Sequence, residues 1–200
     1  MTIIPWHKNV QRKGTLTYSA GASLKSGQWG TVLDRGIAEF NRLMSQHGLK
    51  LSLGKVEEGM GPHVVLETEP GNGIHGSAPS QTKRINGVEY LDLVTVRVPA
   101  TPRVDPKDPR SREVGPGVRI YILVHELIHA VGLSNDEHSA DDVFAAKSVL
   151  IPKGSYLKSG AQAAEDLVQP PDGSAVMPPI RIGAKTVANL KKAWPGEEAR

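Results

Sequence analysis

His125 and His129 stand four residues apart, with Glu126 between them, in the run His125-Glu126-Leu127-Ile128-His129. On an α-helix, positions four apart differ by roughly 40° about the axis and lie one turn apart. Two imidazoles so spaced can converge on one ion from a single rigid element, an arrangement that suits Zn²⁺. Glu126 is one step round from His125 and can reach a water on such an ion without ligating it. That is the placement of a general base, which would then return the proton to a leaving amine. The ion would bring the water's pKa towards about 7 and polarise a carbonyl.

The surroundings sharpen this reading. The other positions of the segment are Ile120, Ile122, Leu123, Val124, Leu127, Ile128 and Val131. Burying two imidazoles and a carboxyl amid that surface costs several kcal/mol unless a metal or hydrogen bonds satisfy them. The plain alternative is a core helix whose histidines and glutamate are satisfied by hydrogen bonds alone. A catalytic zinc needs a third protein ligand. Gly132 can end the helix with a positive φ and turn the chain back. The residues after it offer Asn135, Asp136, Glu137 and His138. The remaining histidines, His7, His47, His63 and His75, read as structural or exposed.

These side chains need elements to hold them. Residues 117–132 are apolar on nearly every face and bounded by Pro116 and Gly132, which predicts a buried helix. Upstream, GTLTYSAG (14–21) alternates as a strand. Trp29, Val32, Leu33, Ile37, Phe40, Leu43 and Met44 recur at helical spacing, which predicts one long helix capped by Ser26 and ended by Gly48. LKLSLGKVEE (49–58), HVVLETE (63–69) and YLDLVTVRVP (90–99) read as further strands. Residues 1–13 read as a polar, basic arm, and 100–115 as a proline- and charge-rich loop. After the buried helix the chain is irregular, with short helices expected at 139–149 and 161–168 and an amphipathic helix at 182–194. The expected class is α+β: a twisted mixed sheet of about 4–5 strands with a long N-terminal helix, a buried helix and a C-terminal helix.

HELIHAVGLSNDEH resembles the extended zinc signature of the metzincin metallopeptidases, HExxHxxGxxH, in its matrixin-like branch. SAVMPP (174–179) resembles that family's methionine turn, with Met177 as the methionine. The order of elements from residue 14 to residue 194 is also similar to that of a small catalytic domain of this family. The resemblance implies a zinc-dependent endopeptidase with an open cleft for an extended peptide. It implies His125 and His129 as metal ligands and Glu126 as the catalytic base. The chain departs from the signature where the third histidine belongs, because Asn135 stands there and His138 follows three residues later. A loop enlarged by three residues would bring His138 to the metal, since imidazole binds zinc better than a carboxamide. Asp136 is the second candidate. By the same resemblance GIHGSAPS (73–80) is the edge strand lining the cleft, running antiparallel to bound peptide; the alternative is a glycine-rich turn. Pro179 stands where some relatives carry an additional tyrosine ligand.

Composition bounds the rest. With 200 residues the expectation is one domain, 1–200, made of the arm (1–13), a sheet and zinc helix (14–132) and a C-terminal subdomain (133–200). The absence of cysteine excludes disulfides, thiolate metal sites and cysteine catalysis. A net charge of +3 without a basic stripe argues against nucleic acid. No run of about 18 apolar residues predicts a membrane span, and MTIIPWHKNVQRK has no apolar core of signal-peptide length. A cytoplasmic, virion-associated or non-Sec exported protein would each fit. Two rivals to the peptidase stay open: a zinc hydrolase whose third ligand is Glu165, and a structural or assembly protein that keeps the zinc site for stability. The expected partner is a protein or peptide substrate.

Overall fold

β-Branched residues spaced two apart set up the sheet. The computed structural model describes residues 3–103, 105–137, 180 and 182–195. Within them a five-stranded sheet runs in the order β2-β1-β3-β5-β4. The strands are β1 (Thr15–Ala20), β2 (Ser52–Lys55), β3 (Val64–Glu69), β4 (Ser80–Ile85) and β5 (Val88–Pro99). β1, β2, β3 and β5 are mutually parallel where they pair, and β4 runs antiparallel along β5. On β5, Val94, Val96 and Val98 are buried while Thr95 and Arg97 between them are half-buried, the period-two signature of a sheet with one face on the core.

The helices that cover this sheet are α3 (Leu33–Gln46) and α4 (Pro116–Ala130), which also pack on each other. Their approach depends on Gly36, where an added Cβ would stand 2.6 Å from Cδ2 of the buried Leu123. α4 starts with Pro116 at its first turn, where the missing N–H costs nothing. At that end Arg119, 1% exposed, anchors the preceding loop. Its Nε donates to the Val114 carbonyl, its Nη2 reaches Gln28 and Glu113, and its guanidinium lies 5.3 Å from the Trp29 ring centre.

The mixed α and β class holds, and three local expectations change. The single helix from Trp29 to Met44 is broken: a one-turn α2 (Gly27–Gly30) precedes α3, and Ser26 donates to the Ala22 carbonyl instead of capping. The edge strand β4 continues past residue 80 to Ile85. It is joined to β5 by Asn86-Gly87 at φ 50 and φ 80, the left-handed pair of a type I′ turn. The arm is docked. Trp6 is 1% exposed and its Nε1 donates to the Ala130 carbonyl at 3.0 Å. Beyond Trp6, α1 (Lys8–Lys13) sends Gln11 to the Ala193 carbonyl at 2.7 Å. That carbonyl ends α5 (Ala184–Ala193), the expected final helix. No described helix is long and apolar enough to cross a membrane.

Candidate metal centre

From Gly117 to Val131 every residue of the α4 segment is buried except His125 and His129. The helix therefore opens to its surroundings only through the two imidazoles. Their Nε2 atoms lie 3.2 Å apart with the rings 5.0 Å between centres. Two nitrogens on a tetrahedral zinc, each about 2.0–2.1 Å from it, stand about 3.3 Å apart, so the spacing fits a shared ion. The orientation of His129 fits as well. Its Nδ1 lies 2.7 Å from the Leu133 carbonyl, which accepts the Nδ1–H and leaves Nε2 as the lone-pair nitrogen. Leu133 can turn back to make this bond because Gly132 takes φ 111, as the sequence led us to expect.

Glu126 lines the same cleft and is held from the sheet side. It is 3% exposed, and its Oε1 accepts the backbone N–H of Gly76 at 3.0 Å. Gly76 is required there by space. A Cβ on it would stand 2.1 Å from the Arg97 carbonyl and 2.9 Å from Cγ of Glu126. Burial pushes the Glu126 carboxyl up to about 7, the charge of Glu69 adding to the rise and the Gly76 N–H opposing it. A carboxyl poised there exchanges protons near neutral pH, as a general base must.

Gly76 begins the segment that borders the site. Ser77 exchanges both backbone hydrogen bonds with Arg97, at 2.9 and 2.7 Å, and Pro79 accepts from Thr95 at 2.9 Å. Residues 76–79 thus extend β4 along β5 as the sheet's outer edge, and GIHGSAPS is an edge strand in its second half. Since Ser77 turns its N–H and C=O inward, the neighbouring Ala78 directs its own outward. The cleft between this edge and α4 encloses about 650 Å³ and includes Ile4, His75, Ser77, Ala78, His125, Glu126 and His129 in its walls.

The loop beyond Leu133 is held by α5. Glu137 Oε2 accepts from the Ser134 N–H at 2.7 Å, while the Asp136 and Glu137 carbonyls accept from Lys185 and Asn189 at 2.8 and 2.7 Å. Among the described residues no third histidine, aspartate or glutamate joins His125 and His129 in a metal-holding group, so Asp136 is not brought to them. His138, Glu165, Met177 and the short helices expected at 139–149 and 161–168 lie outside the described residues. No local pattern links Gly76 to Glu126, because the two are 50 positions apart. No family model matches this chain, and no curated protein matches it.

Proposed function

We propose that the protein is a zinc-dependent endopeptidase, with His125 and His129 as two metal ligands, His138 as the third and Glu126 as general base. The observation that carries this reading is the pair of Nε2 atoms 3.2 Å apart at a cleft, with His129 fixed in the metal-binding tautomer by Leu133. A buried carboxyl beside the pair, held off it by a backbone N–H, adds the second functional part. When bound, Zn²⁺ would supply an acidified water and an electrophile for the scissile carbonyl.

The chain's own residues account for the rest of hydrolysis. An extended peptide pairs with the outward backbone groups at Ala78, which fixes its direction along the cleft. Glu126 takes a proton from the attacking water. It then delivers that proton to the departing nitrogen, so that water and peptide become a carboxylic acid and an amine. The Gly76 N–H holds Oε1, which leaves Oε2 for both transfers.

The test pairs metal analysis with cleavage of an unfolded polypeptide. Wild type should hold one zinc and cleave; Glu126→Gln should hold zinc and lose activity by about 10²–10⁴. Zinc bound at one equivalent without cleavage in wild type would transfer support to the structural rival. No zinc at all would end both.

A further inference from the structure

We propose that Ile4, on the N-terminal arm, is a specificity-determining residue of the zinc cleft. It selects peptides that carry a branched aliphatic side chain two or three residues from the cleaved bond. The cleavage rests on the peptidase reading; the capture of the side chain does not.

The arm supplies part of the cleft's wall. Ile4 lines it together with Ala78, Leu91 and Leu133, and is half-buried against the hydrophobic core. Three contacts hold the arm there. The Pro5 carbonyl accepts the Leu91 N–H at 3.0 Å, and the Trp6 indole donates to the Ala130 carbonyl. The Ile4 carbonyl lies against Gly132, where an added Cβ would stand 3.0 Å from that oxygen and 3.8 Å from Cδ1 of Leu91. Gly132 therefore serves twice. Its positive φ turns the chain towards Leu133, and its missing side chain admits the arm. Ile4, Leu91 and Gly132 meet at one place on the cleft.

That place lies a set distance from the base. Glu126 meets the sheet edge at Gly76, and Gly132 meets Leu91, the register partner of Thr82. Helix and edge thus run side by side in the same direction. Glu126 and Gly132 are 6 positions apart, a rise of about 9 Å at helical spacing. An extended peptide along the edge covers about 3.3 Å per residue. The wall at Ile4 therefore faces a side chain two or three residues from the one beside Glu126. The side chains of Ile4, Ala78, Leu91 and Leu133 offer only carbon. An aliphatic group laid on them leaves water at a gain, whereas a charged group there would lose hydration without return.

The experiment is a ¹⁵N–¹H NMR titration of the zinc-free full chain with two capped hexapeptides of glycine and serine. One carries a single leucine at its third position, and the other carries alanine there. Saturable shifts are expected at the amides of Ile4, Ala78 and Leu91, with the leucine peptide bound about tenfold tighter. Ile4→Ala should cut that ratio to about threefold while leaving the alanine peptide's affinity unchanged, a split that a general loss of stability would not produce. Ile4→Leu should restore the ratio, and Ile4→Phe, which fills the space, should bring it to one or below. With zinc added, cleavage is expected two or three residues from the leucine. A leucine preference that depends on Ile4, in a chain that cleaves nothing, would uphold this subsite and count against the peptidase reading alone. No leucine preference in wild type, a ratio unchanged in both Ile4→Ala and Ile4→Phe, or cleavage directly beside the leucine would overturn the proposal.

Discussion

The backbone N–H of Gly76 and the Oε1 of Glu126 meet at 3.0 Å, joining the sheet edge to the centre of α4. One hydrogen bond therefore relates the strand that would receive a peptide to the carboxyl that would move its proton. The edge strand and the base cannot shift independently.

Gly76→Ala tests that relationship. The new methyl would stand 2.1 Å from the Arg97 carbonyl and 2.9 Å from Glu126 Cγ, both held by their own elements. The edge must retreat from β5 or Glu126 must leave its hydrogen bond. A loss of about 1–3 kcal/mol is expected from urea unfolding, the usual cost of overpacking. Zinc binding should persist, because the atoms a Gly76 methyl would meet first belong to Arg97 and Glu126 and not to either imidazole. An unchanged unfolding midpoint would show that the edge strand has room to spare.

Glu126 also sets a pH dependence in the metal-free protein. Its carboxyl is raised from 4.5 to about 7, chiefly by burial, so the folded state keeps a proton that the unfolded chain releases at lower pH. The folded state binds more protons through this window, and stability falls as pH rises from about 4.5 to about 7. Glu126→Gln removes the ionisation while keeping an oxygen for Gly76. Chemical unfolding should find the variant more stable than wild type at pH 8, by up to roughly 3 kcal/mol, and little different at pH 4.5. Equal stability at both pH values would mean that Glu126 ionises in place without penalty.

His63 works in the opposite direction. Its Nδ1 accepts from the Thr17 N–H at 3.0 Å, a bond that needs the unprotonated nitrogen. Burial pushes the imidazole below its ordinary 6.5, and the charges of Lys13 and Lys83 lower it further, against Asp92. The folded state therefore binds fewer protons, and this stabilisation is present above pH 6.5 and lost as pH falls below it. An NMR titration should place the His63 midpoint below that of a model imidazole. A midpoint at or above 6.5 would contradict the bond to Thr17.

What the sequence made legible follows its local periodicities. Four of the five strands, the buried helix, the final helix and the positive φ of Gly132 could be read because three- and four-residue or alternating spacing, and glycine's freedom, are local signals. β4 escaped because Ser80–Ile85 is exposed and polar and so carries no core pattern, although Asn86-Gly87 marked its turn. The docking of Trp6 escaped for another reason: its carbonyl partner on Ala130 is 124 residues away. Half the site was readable on the same grounds. The four-residue spacing implied that His125 and His129 converge, whereas the support from Gly76 and from Lys185 and Asn189 is tertiary.

The third ligand is the point at which the site reading can fail most clearly. His125 and His129 lie 3.2 Å apart, and among the described residues no further carboxylate or imidazole joins them. Asp136 and Glu137 are tied through their carbonyls to α5, and the Glu137 carboxylate is turned back on Ser134. His138 follows directly. His138→Ala should weaken zinc binding strongly, because two imidazoles alone leave the ion short of protein ligands. Asn135→Ala, at an exposed position on the cleft wall, should leave affinity within a few fold. Binding should also weaken as pH drops through the histidine range, since ligating imidazoles must be neutral. Competition with a chromophoric chelator at several pH values measures all three. Full affinity in His138→Ala, with loss in Asp136→Ala or Glu165→Ala instead, would reassign the third ligand and leave the histidine pair standing.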